Sequence, residues 1–96
     1  MGRCDSPEAV RALLDRGGLV VDVRSTLEFA AGGLPGSLNL PLHLLPVLAQ
    51  ERLPSDRPLL VCCASGARSA QAVQYLMRRG YEAHDLGPWT LLSNLR

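Results

Sequence analysis

Two short aliphatic runs, Leu19-Val20-Val21-Asp22-Val23 and Leu59-Leu60-Val61-Cys62, constrain the fold more than any other feature of this sequence. Neither alternates apolar with polar residues, and both are too short for a helix. Such runs read as strands covered on both faces, the pattern of a parallel sheet. Parallel neighbours cannot be joined by a tight turn, so each return needs a crossover. The intervening segments supply helices for that purpose.

Asp5-Ser6-Pro7-Glu8 is a helix start, with Ser6 as cap, Pro7 at the first helical position and capping-box spacing from Asp5 to Glu8. Val10, Leu13 and Leu14 follow at helical spacing, and Gly17-Gly18 stops the helix. A short helix over Thr26–Ala31 ends at Gly32-Gly33, Pro35-Gly36 turns the chain, and Ser37–Leu40 reads as a short strand. The leucine-rich stretch 42–53, interrupted by Pro46, reads as one or two short helices. Ser69–Arg79 is the clearest helix, with Ala72, Val73, Leu76 and Met77 on one stripe and Gly80 closing it. Ala83–Leu86 reads as a third strand, Gly87-Pro88 as a turn, and a short last helix carries Leu91, Leu92 and Leu95. The expected fold class is α/β, a mostly parallel central sheet with helices on both faces, in a single domain over residues 1–96. In such folds ligands sit beyond the carboxyl ends of the strands.

Composition narrows the function. The chain has 96 residues, 47% hydrophobic and 20% charged, with a net charge of +1. That is a globular composition, and its near-neutrality speaks against nucleic-acid or membrane-surface binding. There is no transmembrane-length apolar run, and Met1-Gly2-Arg3-Cys4-Asp5 has no apolar signal core. Cys62 and Cys63 are adjacent, and neighbouring Cα atoms about 3.8 Å apart are too close for an unstrained disulfide. Free thiols point to a reducing compartment, and a cytoplasmic location is expected. Cys4 reads as an incidental thiol. His43 and His84 have neither ligand nor triad spacing, and no metal site is expected.

The chemistry lies in residues 61–69. Cys63 sits where a strand ends and a helix is about to begin, in a short loop of small residues: Ala64, Ser65, Gly66 and Ala67. If the loop curls, its N–H groups form an anion-binding nest. The following helix N-terminus adds partial positive charge, and Arg68 adds a full one. All three favour a thiolate nucleophile at Cys63.

The motif Cys63-x-x-Gly66-x-Arg68-Ser69 resembles the active-site loop of the rhodanese family. Asp22-Val23-Arg24, Glu28-Phe29, Gly32, Gly36, Asn39 and Pro41 fit that family's upstream pattern, and Leu76 and Gly80-Tyr81 fit its downstream one. The resemblance implies a rhodanese-like fold and sulfur transfer. Cys63 takes the outer sulfur of thiosulfate or a persulfide donor and passes it, as a cysteine persulfide, to a thiol or cyanide. It further implies that the backbone of residues 64–68 cradles the persulfide, that Ala64, Ser65, Gly66, Ala67, Arg68 and Ser69 bind the substrate, that Arg68 balances the persulfide's charge, and that no metal or organic cofactor takes part. A partner protein in a sulfur relay is a further expectation. Two positions depart from the pattern. Gly33 stands where the family has histidine, which suggests a looser turn, and Gly87-Pro88-Trp89 replaces a Gly-Gly followed by Trp.

Three other readings compete. Cys62 and Arg68 satisfy C-x₅-R, the cysteine-phosphatase spacing, with arsenate reduction as a related chemistry. From Cys62, however, the glycine falls one place late and the usual preceding histidine is Val61; from Cys63 the loop is one residue shorter and suits sulfur better than a phosphate. A sulfur-carrier or protein-binding module without turnover is the second alternative. In the third, Cys62 is a resolving thiol for an oxidised Cys63; against it stands the reading that Cys62 packs beneath Cys63. Asp22 and Arg24 are expected to tie the sheet end to its neighbours, Arg24 to pair with Glu28 at helical spacing, Trp89 to anchor packing, and Met77 to lie in the core.

Overall fold

The computed structural model describes residues 2–3 and 6–93. Among these, five strands form one sheet: β1 (Gly2–Arg3), β2 (Leu19–Asp22), β3 (Leu38–Asn39), β4 (Leu59–Cys63) and β5 (Ala83–Pro88), in the order β1-β5-β4-β2-β3. Every pairing is parallel. The helices are α1 (Pro7–Asp15), α2 (Thr26–Ala31), α3 (Leu45–Arg52, after a 3₁₀ turn at Leu42–Leu44), α4 (Ala67–Arg78) and α5 (Trp89–Ser93). The α/β reading with a parallel sheet holds.

Strand alternation divides the core into two layers. Leu59, Val61 and Cys63 of β4 face the side packed by α3 and α4, among Leu45, Ala49, Ala72, Val73 and Leu76. Leu60 and Cys62 face the opposite side, with Val10 and Leu13 of α1, Leu86, and Leu92 of α5. All five β4 side chains are buried, which is why that run carries no polar residue.

Several boundaries follow the sequence signals. Ser6 caps α1 by accepting from Ala9 N–H at 3.1 Å, and Gly17 leaves the helix with φ +85°. Cys4, Leu95 and the Asp5 half of the proposed capping box lie outside the described residues. Gly80, at φ +90°, follows the last turn of α4.

Others differ. Cys63 is the last residue of β4, not part of the loop, and α4 begins at Ala67. Gly87-Pro88 does not turn the chain away: both residues continue β5, opposite Cys62 and Cys63. The register skips Leu86, a bulge made possible by the left-handed backbone of Gly87 (φ +75°). Met77 is not core; at 38% exposure it lies at the rim of the α4 stripe, as Leu14 does on α1 at 40%. No described helix is long and apolar enough to cross a membrane.

Candidate active site

The carboxyl ends of β2, β4 and β5 meet the N-terminus of α4, and the cysteine loop closes there. Gly66, at φ +105°, turns the chain into α4. With that turn made, its N–H donates to Cys63 Sγ at 2.9 Å, and Ser69 N–H donates to the same sulfur at 3.3 Å. The thiol is buried and sits where the free N–H groups of a twelve-residue helix converge. Burial pushes the Cys63 thiol up, but hydrogen bonds from Ser69, Gly66 and Ser65 outweigh it and leave it below the ordinary cysteine value.

Cys62 is a different environment one residue away. It faces the other layer, and burial pushes its thiol up to about 12, with the Asp22 carboxylate acting in the same direction. It does not pack beneath Cys63, and its side chain leaves β4 on the face away from Cys63, so a resolving role has no geometric support. The phosphatase register counted from Cys62 likewise has no loop around its sulfur: the described N–H donors converge on Cys63.

Ala64, Ser65 and Ala67 are exposed on the outside of the loop, while Ser69 is fully buried behind it. Ser69 Oγ lies 2.7 Å from Asp85 Oδ1 and 3.1 Å from the Gly66 carbonyl. Asp85 Oδ1 also accepts from Gly87 N–H at 2.9 Å, so one carboxylate ties the loop to the bulge of β5.

Arg68 is not a bare cation. Its guanidinium makes a bidentate pair with Glu28, at 2.6 and 2.9 Å. Glu28 is also the third residue of an α2 capping box: its carboxylate accepts from Ser25 N–H at 2.9 Å, and Ser25 Oγ accepts from Glu28 N–H at 3.2 Å. The Arg68 hydrogen bond, with that capping contact, holds the Glu28 carboxyl down at about 2. The expected Arg24–Glu28 side-chain pair is therefore absent. Arg24 pairs instead with Asp22 at 2.8 Å, and both side chains are buried.

The Asp22–Arg24 pair does tie the sheet end together. Arg24 donates to the Gly32 carbonyl at 2.7 Å, and its guanidinium lies 4.7 Å from the Trp89 ring centroid. Asn39 donates to the carbonyls of Asp22 and Arg24, both at 3.0 Å. Trp89 is thus a packing anchor. The Gly33 turn is not loose: the Phe29 ring lies 2.7 Å from where a Gly33 side chain would begin, so phenylalanine fills the space. His84 bonds to Glu82 at 2.8 Å, an ordinary polar contact. Beside Arg68 opens a cavity of about 280 Å³, also walled by Val23, Ser25, Pro41, Leu42 and His43.

Reading the sequence alone passes over Glu28 as the partner of Arg68, and over Asp85. The Ser25-x-x-Glu28 spacing signals the capping box but not the contact with Arg68 forty residues on; only a position near the end of a parallel strand hints at Asp85.

The comparisons agree with this geometry. A sulfurtransferase of Allochromatium vinosum is 49% identical over 63 residues, covering 66% of this chain and 58% of that protein. The chain thus matches a little over half the length of that relative. The thiosulfate sulfurtransferase GlpE of Stutzerimonas stutzeri is 38% identical over 76 residues, covering 78% of this chain and 68% of the relative. The crystal structure of a rhodanese homolog from the extremely thermophilic bacterium Thermus thermophilus superposes with a TM-score of 0.70 at 39% identity, over 91% of this chain and 95% of that one. The family model for the Rhodanese-like domain matches residues 6–87. Nearly the whole parallel sheet and its cysteine loop fall within that match, and the chain belongs to the rhodanese-like domain family.

Proposed function

We propose that this chain, acting as one domain over residues 1–96, is a thiosulfate sulfurtransferase-like enzyme that carries sulfur on Cys63. The observation that carries the proposal is the convergence of Gly66 and Ser69 N–H groups on Cys63 Sγ at the start of α4. That arrangement stabilises a thiolate without a metal, because the donors are fixed before the charge forms.

The Cys63 thiolate attacks the outer sulfur of thiosulfate; the S–S bond of the donor breaks with its electron pair on sulfite, and a Cys63 persulfide remains. With a hydropersulfide donor the leaving group is the donor's thiolate. An acceptor thiolate then attacks the outer sulfur of the persulfide, leaves as a new persulfide, and returns Cys63 to the thiolate; cyanide leaves as thiocyanate. The backbone of Ala64, Ser65, Gly66, Ala67 and Arg68 surrounds the carried sulfur, Ser69 braces the loop, and the Arg68 side chain faces the entering anion. The acceptor is a small thiol, cyanide, or a cysteine of a partner protein in a sulfur relay. A cytoplasmic setting suits a chemistry that needs Cys63 reduced, and among the described cysteines both thiols are free.

Intact-mass spectrometry after exposure to thiosulfate tests the reading. One added sulfur atom is expected, removed by dithiothreitol or cyanide, lost in Cys63→Ser and retained in Cys62→Ser. Loading that survives Cys63→Ser but not Cys62→Ser would overturn it.

A further inference from the structure

The charges around the loop are unusual for a site that receives an anion. Cys63 is negative when it reacts. Glu28 sits on Arg68 at 2.6 Å. Asp85 lies one hydroxyl away, through Ser69, and its described hydrogen bonds come from neutral donors, Ser69 Oγ–H and Gly87 N–H. The buried Asp22 and Arg24 cancel each other. Among the described residues, with the Asp22–Arg24 pair set aside, Arg68 is therefore the single positive side chain set against three negative groups, Cys63, Glu28 and Asp85, and its own charge is offset by Glu28. In the cavity beside it, Arg68 is the one arginine among the walls. Ala64, Ser65 and Ala67 add no charge at the rim. Glu28 stays ionised throughout the neutral range, since Arg68 holds its carboxyl at about 2. The α4 N-terminus supplies only about half a positive charge.

Resting on the sulfur-transfer reading above, we propose that Glu28 is a specificity-determining residue: by neutralising Arg68 it sets the site for sulfur donors of low charge, such as persulfides and thiosulfonate monoanions, over the thiosulfate dianion. The chemistry is the same for each donor. A Cys63 thiolate attacking a thiosulfonate R–SO₂–S⁻ forms the Cys63 persulfide and releases the sulfinate R–SO₂⁻; from thiosulfate it releases sulfite. The donors differ in the charge that must approach.

This makes a graded prediction. The electrostatic energy of a donor in the field of the site is proportional to its charge, so the rate factor for a dianion is the square of that for a monoanion. Glu28→Gln removes the charge and keeps the shape, and glutamine serves in a capping box as glutamate does. In single-turnover loading, Glu28→Gln is expected to raise the second-order rate with thiosulfate about 10-fold and with methanethiosulfonate about 3-fold. A change in the thiolate fraction of Cys63 moves both donors alike, so the thiosulfate-to-thiosulfonate ratio isolates the field. Glu28→Asp, which keeps the charge and withdraws the contact, is expected to leave that ratio at the wild-type value. In the wild type, with no variant involved, the ratio is expected to rise with added salt as the field is screened.

Equal factors for both donors in Glu28→Gln, a Glu28→Asp ratio that shifts as the glutamine variant's does, or a wild-type ratio that is flat or falls with salt would each overturn the proposal and leave the sulfur-transfer reading standing. Wild-type protein that loads sulfur from neither donor would overturn both.

Discussion

Gly66→Ala tests whether the loop conformation, rather than the presence of a cysteine beside a helix, makes Cys63 reactive. Gly66 has φ +105° and ψ −15°. A Cβ built there has room, because its nearest neighbour is the Gly87 Cα at 3.8 Å. The cost is therefore carried by the backbone. An L-residue in left-handed conformation costs about 1–2 kcal/mol, and at this domain size that lowers Tm by about 5–15 °C.

The same strain acts on reactivity. A loop that relaxes out of the left-handed region swings the Gly66 N–H away from Cys63 Sγ, which it now meets at 2.9 Å. A hydrogen bond to a charged group is worth about 1.5–3 kcal/mol. Losing one at the low end of that range reduces the thiolate fraction, and the rate of iodoacetamide alkylation near neutral pH, about 10-fold. The assay is the pH dependence of alkylation at Cys63, followed by peptide mass spectrometry beside a thermal melt. The expected result is a profile displaced to higher pH together with a lower Tm. A Tm loss with an unmoved alkylation profile would refute the link between Gly66 and the thiolate; an unchanged Tm would refute the strain.

Two further outcomes follow from the ion pairs. Asp22→Asn leaves the buried Arg24 guanidinium without its carboxylate, and should cost about 3 kcal/mol, read as a lower urea midpoint with an unchanged slope. Glu82 is held at about 2, against an ordinary 4.5, by its hydrogen bonds to Arg16 and then His84. A depressed carboxyl stabilises the fold above its unfolded value and loses that contribution as the pH falls through the folded one. Wild type should therefore exceed Glu82→Gln in stability at pH 6, with the difference vanishing between about pH 4.5 and 2 in acid titrations; a difference that persists below pH 2 would contradict the assignment.

How much of this was legible depended on how local each determinant is. β4 shows in the sequence because a strand buried on both faces along its whole length is apolar throughout, β2 because its aliphatic run Leu19–Val21 leads into the buried strand end at Asp22, and α4 because its stripe is sustained over three turns. The extent of β5 does not show, since continuing through Gly87-Pro88 requires a bulge secured by the Asp85 carboxylate, a contact that exists only once β5 is in the sheet. Met77 fails for a related reason. It sits at the edge of an apolar stripe, where periodicity is met but the side chain stays 38% exposed while Ala72, Val73 and Leu76 are buried. The Arg24–Glu28 pairing fails because the four-residue rule applies within a helix, and Arg24 lies before Ser25, the cap of α2. Glu28, released from that partner, reaches forty residues along the chain to Arg68, and no local spacing encodes such a contact.

The adjacent cysteines show how one step along a strand decides chemistry. Both are buried and both end β4, yet successive side chains leave a strand on opposite faces, so only one can face any given helix. The helix whose N-terminus overhangs the end of β4 lies on the Cys63 side. The N–H groups that support a thiolate are thereby denied to Cys62, which instead shares a layer with α1 and α5 and is held protonated far above neutral pH. Counting from Cys62 to Arg68 gives a familiar spacing on the wrong face. In a sheet of this kind the spacing of a loop motif has meaning only from the residue whose parity directs it at the loop, and that residue is Cys63.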